Sequence, residues 1–338
     1  MAARTDGATA LGGATRAAAV VLPTNPWRPL GPCTLTACVE GPVAAAGPIR
    51  RAARLSGALL VVLAGVPLSL AAGHARPARR AGITRMWARL LLRALGIRVH
   101  AIRLDGAGGA PADGASGGGE GERQPGAVAA HPGTGPEAAA VAGRLLVANH
   151  VSWLDPLVIA AIVPSRPLAK GEIAGWPVVG RLVAGAGALF IDRGRLSALP
   201  ATVGAVAGAL RAGDTVVAFP EGTTWCGRGM GGFRPAVFQA AIDAGAAVLP
   251  ATLRYLEGTR LSTRGCYVGE DSLLASLRRV AATRHLAVEV TFLTPVRVRP
   301  PATRAARPAV RAALAALAEA RVRAHTGGAH GLTWPRPP

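Results

Sequence analysis

From Arg144 onward the chain alternates between two hydrophobic rhythms. Short apolar runs rich in Val, Leu and Ala predict strands at 144–148, 166–169, 187–192, 215–219, 247–253 and 286–293. Between them, apolar positions recur at steps of three and four, which predicts helices at 156–163, 177–184, 197–212, 235–244, 271–282 and 303–324. This alternation predicts an α/β domain over 144–300, a layered mixed sheet covered by helices, followed by a C-terminal helix and tail at 301–338. Pro250 interrupts the strand at 247–253, so a strand edge or local bend is expected there.

The N-terminal part reads differently. Residues 1–49 carry Ala, Gly and Pro without a sustained period and are expected to be a disordered tail. Leu55 to Gly73 runs without a charge for 19 residues, with Pro67 inside it and arginines on both sides. A spanning helix needs about 20 apolar residues. The run is marginal in length, and basic flanks on both sides give no orientation. It fits a helix half-inserted from one face of a membrane; the plainer alternative is a core helix. Over 81–99, Ile83, Met86, Trp87, Leu90, Leu91, Ala94 and Ile97 share one helical face, while Arg85, Arg89 and Arg93 step along another. Such a basic amphipathic helix suits a lipid interface as well as a protein core. Residues 50–100 are therefore expected to be membrane-associated helices. Residues 104–143 form a Gly/Ala/Pro tract that cannot build a core and reads as a flexible insert. Deleting 106–140 is expected to leave activity nearly unchanged.

Composition narrows the classes. Hydrophobic residues make up 50% and aromatics 4%, so a core exists and is built mainly from Ala, Val and Leu. The formal charge is +20, but Lys170 is the sole lysine among 38 basic residues. Arginine beside so much Ala, Gly and Pro points to coding bias, and the remaining basicity suits any polyanion, an anionic membrane included. Interleaved aromatics and a recognisable binding module are both lacking, so a nucleic-acid-binding protein is the weaker alternative. Cys33, Cys38, Cys226 and Cys266 show no C-x-x-C pair; neither a disulfide framework nor a metal site is expected. A formal G-x-S-x-G at 114–118 lacks the strand and helix a hydrolase elbow needs. The G-x-G-x-x-G at 227–232 opens no clear helix and reads as a loop.

Four blocks carry candidate chemistry, three of them directly after predicted strands. Asn149 to Asp155 (NHVSWLD) places His150 and Asp155 five residues apart. A regular helix would splay them, so a turn must bring them together, with Ser152 or Asp155 capping the helix that begins at Pro156. Asp155 could then bond one imidazole nitrogen, fix the tautomer and leave the other free to take a proton. The bland reading is a cap beside an incidental histidine. Phe190 to Arg195 (FIDRGR) offers Arg193 and Arg195 for an anionic headgroup. Phe219 to Trp225 (FPEGTTW) has Pro220 and Gly222 shaping a turn, with Glu221 and Thr223 expected to project into a cleft. The fourth block is Val248 to Leu253 (VLPATL).

In this order and spacing the blocks resemble the glycerolipid acyltransferase family, typified by 1-acylglycerol-3-phosphate acyltransferases. The resemblance covers about 144–300. It implies an acyltransferase domain tied to the cytoplasmic face of the cell membrane by N-terminal helices. It implies transfer of a fatty acyl group from acyl-CoA or acyl carrier protein to the hydroxyl of a lysolipid, in phospholipid biosynthesis. His150 would be the general base and Asp155 its partner; Arg193, Glu221, Gly222 and Thr223 would bind the acceptor; Pro250 would belong to the acyl-donor site. The reaction requires no metal or redox cofactor. One departure bears on the acceptor: many lysophosphatidate enzymes carry an arginine after Gly-Thr, where this chain has Thr224. Arg228, Arg234, Lys170 or Arg195 would have to replace it, or the acceptor is a different lysolipid, such as a lyso-ornithine lipid.

Overall fold

The computed structural model describes residues 31–73, 75–104, 143–192, 194–297 and 303–326. In chain order the elements are α1 (Leu35–Cys38), α2 (Pro48–Gly73), α3 (Pro77–Ala94), β1 (Arg98–Arg103), β2 (Arg144–Ala148), α4 (Asp155–Ile162), β3 (Arg166–Lys170), α5 (Gly171–Ala174) and α6 (Val179–Gly185). They continue with β4 (Leu189–Ile191), α7 (Leu199–Arg211), β5 (Val216–Ala218), α8 (Phe238–Ala244), β6 (Ala247–Glu257), β7 (Arg260–Leu261), α9 (Leu273–Ala282), β8 (Leu286–Phe292) and α10 (Arg307–Thr326).

The strands form one mixed sheet in the order β1-β8-β6-β2-β5-β3-β4, with the short β7 paired to β6. Every pair along that path is parallel except β6 with β8. The carboxyl ends of β2, β3, β4, β5 and β6 therefore share one edge, where sites on open α/β sheets gather. Side-chain alternation feeds two cores. Leu146, Ala148, Val217, Leu249, Ala251, Leu253 and Tyr255 point to the layer that includes α3 and α4. Leu145, Val147, Val216, Ala218 and Val248 point to the layer of α7, α8 and α10.

Pro250 lies inside β6, opposite Val147 of β2. Beside it, the pairing of β6 slips. Ala251 opposes Phe292, yet the next bridge joins Val248 to Val296, one residue further along the partner than an unbroken ladder would place it. The proline thus sits against a bulge, where its missing N–H costs no ladder bond. Its carbonyl still accepts from Leu293 N at 2.9 Å.

The N-terminal segment departs from the expectation of disorder over 1–49. Residues 1–30 lie outside the described ones, but 31–47 form a strap along the domain. Glu40 N donates to Thr263 Oγ1 at 3.0 Å, Val43 N to Glu257 Oε2 at 2.9 Å and Ala46 N to Ala282 O at 2.8 Å. Bonds of this kind need no hydrophobic period, so the pattern of apolar positions could not show them. Most of the expected insert, 105–142, also lies outside the described residues.

Helix α2 covers the apolar run and begins earlier than predicted. It is the one described helix long and apolar enough to cross a membrane, and it is mostly unburied. Leu59, Leu60, Leu63 and Leu70 are exposed on α2, as are Met86 and Leu90 on α3. Two of the three arginines in the α3 stripe bond the protein, although Arg89 and Arg93 stay exposed. Arg85 Nη2 donates to Ile162 O at 2.7 Å and Arg89 Nε to Ala161 O at 2.8 Å, capping the carboxyl end of α4 where helix carbonyls lack partners. The predicted helix over 81–99 ends at Ala94; its last residues turn into β1, a strand exposed along nearly its whole length and so without alternating burial.

Candidate active site

Strand β2 ends at Ala148, and Asn149 anchors the turn beyond it. Its side chain accepts from Leu253 N at 2.8 Å and donates to Leu253 O at 3.0 Å, clamping the turn to the middle of β6. The chain then turns through 150–154, and Asp155 opens α4. The Asp155 carboxylate is wholly buried. It reaches back toward the turn, not forward as a cap on its own helix. Its Oδ2 accepts from His150 Nδ1 at 2.8 Å, Val151 N at 2.6 Å and Ser152 N at 2.8 Å. Its Oδ1 accepts from the Tyr255 hydroxyl at 2.6 Å. These donors satisfy a charge that burial would otherwise make costly, and the α4 amino terminus favours it further. Ser152 instead accepts from Leu154 N at 3.2 Å.

This network sets the tautomer of His150. With Nδ1 donating to Asp155, the lone pair lies on Nε2, and no side chain among the described residues bonds that atom. One face of the imidazole is covered by Phe219, at a centroid distance of 4.2 Å and an interplanar angle of 14°. The His150 side chain keeps 19% of its surface exposed.

Phe219 lies just past β5 and begins the FPEGT block. Gly222 N donates to Phe219 O at 3.1 Å, and Gly222 has φ of +75°, a conformation that glycine tolerates and side chains resist. Glu221 does not project into an open cleft as expected. It is 3% exposed; Oε1 accepts from His150 N at 2.6 Å and Oε2 from Gly231 N at 2.6 Å. Burial pushes its carboxyl well above the ordinary range, opposed by those two N–H groups. Trp225 N donates to His150 O at 2.8 Å and Tyr267 N to Val151 O at 3.0 Å. The turn bearing His150 is thus held by its neighbours through backbone bonds. Thr223 is half-buried, and Thr224 spends its hydroxyl on Tyr267 O.

Arg193 lies outside the described residues. Of the cations named for the acceptor, Arg195 pairs with Asp192 at 2.9 Å and is largely exposed, Arg228 pairs with Glu40, and Lys170 is exposed at the end of β3. Arg234 is half-buried, and no side chain among the described residues bonds its guanidinium; its N–H donates to Pro220 O at 2.9 Å, beside the Glu221 turn. Pro250 lies at the β6 bulge.

Three contributors leave little trace in the sequence. Asn149 and Phe219 stand inside the NHVSWLD and FPEGTTW blocks, but neither carries a titratable group that would single it out. Tyr255 is one of two tyrosines and lies two residues past the predicted end of its strand. A buried tyrosine needs a partner for its hydroxyl, and that need is the signal it offers.

The shared edge of the mixed sheet thus carries an imidazole oriented by a buried carboxylate. Residues 134–254 match the family model described as Acyltransferase. The chain is 40% identical to a 1-acyl-sn-glycerol-3-phosphate acyltransferase of Neisseria gonorrhoeae over 151 residues, 45% of this chain and 59% of the relative. It is 34% identical to a lyso-ornithine lipid O-acyltransferase of Pseudomonas aeruginosa over 152 residues, 45% of this chain and 58% of the relative. The chain thus spans somewhat under two thirds of these relatives' length. In fold it is similar to the crystal structure of the 1-acyl-sn-glycerophosphate acyltransferase PlsC from Thermotoga maritima, with a TM-score of 0.50, 15% identity, and coverage of 85% of this chain and 97% of that one.

Proposed function

We propose that the protein is a lysolipid O-acyltransferase that moves an acyl group from acyl-CoA or acyl carrier protein to 1-acyl-sn-glycerol-3-phosphate. The observation that carries this reading is a partly exposed imidazole whose Nδ1 is held by the buried Asp155, leaving the Nε2 lone pair for a proton. His150 Nε2 takes the acceptor hydroxyl proton as the oxygen attacks the thioester carbonyl, and Asp155 offsets the imidazolium that forms. The thiolate of the donor then leaves as the tetrahedral intermediate collapses. No covalent acyl-enzyme enters this sequence, and transfer by this route uses no metal or redox cofactor.

Glu221 and Gly222 serve as positioning residues, since the Glu221 carboxylate holds the His150 backbone and gives no oxygen to a ligand. Arg234 supplies the headgroup cation in place of the arginine that Thr224 replaces; Arg193 and Thr223 complete the acceptor site, and Pro250 belongs to the donor side. The exposed leucines of α2 and the outer residues of α3 rest in the cytoplasmic face of the cell membrane, where both lysolipid and product reside. Nucleic acid is not a partner in this reading.

A second acceptor, lyso-ornithine lipid, is favoured by one observation: Thr224 offers no charge, and its hydroxyl is already used. Detergent-solubilised wild type, His150→Ala and Arg234→Ala are given labelled acyl-CoA and acyl carrier protein with each lysolipid. Transfer to lysophosphatidate, lost in His150→Ala and raised in KM in Arg234→Ala, is expected. Transfer to lyso-ornithine lipid alone would keep the mechanism and change the acceptor. Failure with both acceptors and both donors would overturn the reading.

A further inference from the structure

Sequence spacing keeps the cysteines apart, yet the fold gathers three of them. The sulfurs of Cys33, Cys38 and Cys226 all lie within 4.8 Å of one another. Cys33 and Cys38 come from the strap, Cys33 just before the single turn of α1 and Cys38 as its last residue, the turn closed by Thr34 Oγ1 accepting from Ala37 N at 3.2 Å. Cys226 adjoins Trp225, whose N–H bonds the His150 carbonyl. Cys33 and Cys226 are buried, and Cys38 is half-buried.

A buried cysteine ordinarily behaves as a small hydrophobe. This set does not. Cys33 donates its S–H to Cys226, which holds the Cys226 thiol below its ordinary value and pushes Cys33 above, burial adding to that rise. The Arg228 guanidinium also favours the Cys226 thiolate. Cys266, pushed up to about 12 by burial, remains a thiol. A disulfide would join two sulfurs and leave the third unused. A single thiophilic cation uses all three: with metal–sulfur bonds of about 2.3 Å, ligand sulfurs stand roughly 3.8–4.0 Å apart, inside the 4.8 Å limit within which these three lie.

We propose that Cys33, Cys38 and Cys226 form a site for one thiophilic d10 cation of the Zn2+ class, pinning the 31–47 strap to the loop that supports His150. Three thiolates bind the ion, and a fourth position opens on the side of half-buried Cys38. The thiols still protonated release their protons to solvent as the ion enters. The ion takes no part in acyl transfer. It ties two segments that are otherwise bridged by the Arg228–Glu40 pair.

Full-length protein, reduced in detergent and freed of metal by a chelator, is titrated with Cd2+ while thiolate-to-metal charge-transfer absorption is recorded. Wild type is expected to saturate at one ion per chain, to yield the ion to Zn2+, and to show a raised Tm with either. Cys33→Ser and Cys38→Ser are expected to lose the absorption, and Cys266→Ser to keep it. Cys38 is half-buried, so its variant tests the site even where Cys226→Ser does not fold. No absorption from reduced wild type at saturating Cd2+, retention of the full signal in Cys38→Ser, or a Cys33–Cys226 disulfide as the stable state in metal-containing buffer would overturn the proposal.

Discussion

Asp155 and Glu221 are two buried carboxylates that stand on either side of the same histidine and do different work. Asp155 binds the imidazole itself, and three further donors converge on it from the turn and from Tyr255. Glu221 gives its two oxygens to the main chain, joining the backbone N–H of His150 to that of Gly231. One carboxylate sets where the proton sits, and the other sets where the residue sits. Position in a site therefore does not define a role. The partner atom does.

That contrast can be broken by substitution, beginning with Asp155→Asn. The amide cannot offset an imidazolium, so kcat should fall roughly 10²–10⁴-fold with KM little changed and the far-UV spectrum retained. Steady-state assay at saturating acceptor checks this; an unchanged kcat would reduce Asp155 to a structural group. Tyr255→Phe removes one charge-assisted bond from the same carboxylate and should cost about 1.5–3 kcal/mol of stability in denaturant titration, with a smaller loss of kcat.

Glu221→Gln sharpens the other side. One backbone N–H then faces an amide NH2 in place of an acceptor, a loss of about 1–3 kcal/mol. The sign of its pH dependence is set by burial. Folding raises the Glu221 carboxyl above its ordinary value, so its contribution is present below the unfolded value and declines as pH rises through the folded one. The stability advantage of wild type over Glu221→Gln should shrink from about pH 4 toward about pH 8, as denaturation at several pH values would show; an advantage that grows would mean the two N–H donors outweigh burial. The smallest effect is expected from Arg85→Ala, which uncaps α4 far from the imidazole and should cost about 0.3–1 kcal/mol with kcat nearly intact.

The same contrast separates what was legible in the sequence from what was not. His150 and Asp155 are five residues apart after a strand, so local geometry alone argues for their meeting, and it occurs. The six strands predicted from Arg144 onward are written in apolar runs and appear within a few residues of their expected bounds, while the two-residue β7 is too short to show a run. Glu221 stands 71 residues from the N–H it holds, and a turn reading cannot tell a carboxylate aimed at solvent from one aimed at the chain. Likewise, β1 shows no burial alternation because it is an edge strand, paired to β8 alone. The gathering of Cys33 and Cys226 depends on a strap held by hydrogen bonds, which leave no period to read.

The place of β1 has a consequence in chain length. Leu104 leaves the sheet edge with its N–H on Phe292 O, and Gly143 re-enters beside the central β2 with its N–H on Leu210 O. β1 runs opposite to β2 with β8 and β6 between them, and the pairing sets Arg103 level with Phe292, Ala251 and Ala148, so Leu104 stands about four residues along the strand direction from Gly143. Three strand intervals of about 4.8 Å, with about four residues of rise at about 3.3 Å each, make that gap roughly 20 Å. Removing 106–140 would leave three residues between Leu104 and Gly143, whose full reach of about 14 Å falls short of it. The deletion expected to be neutral would draw the connection taut and pull β1 from β8, whereas one that spares about four or five more residues would leave slack, since loop-closure entropy changes only slowly with length.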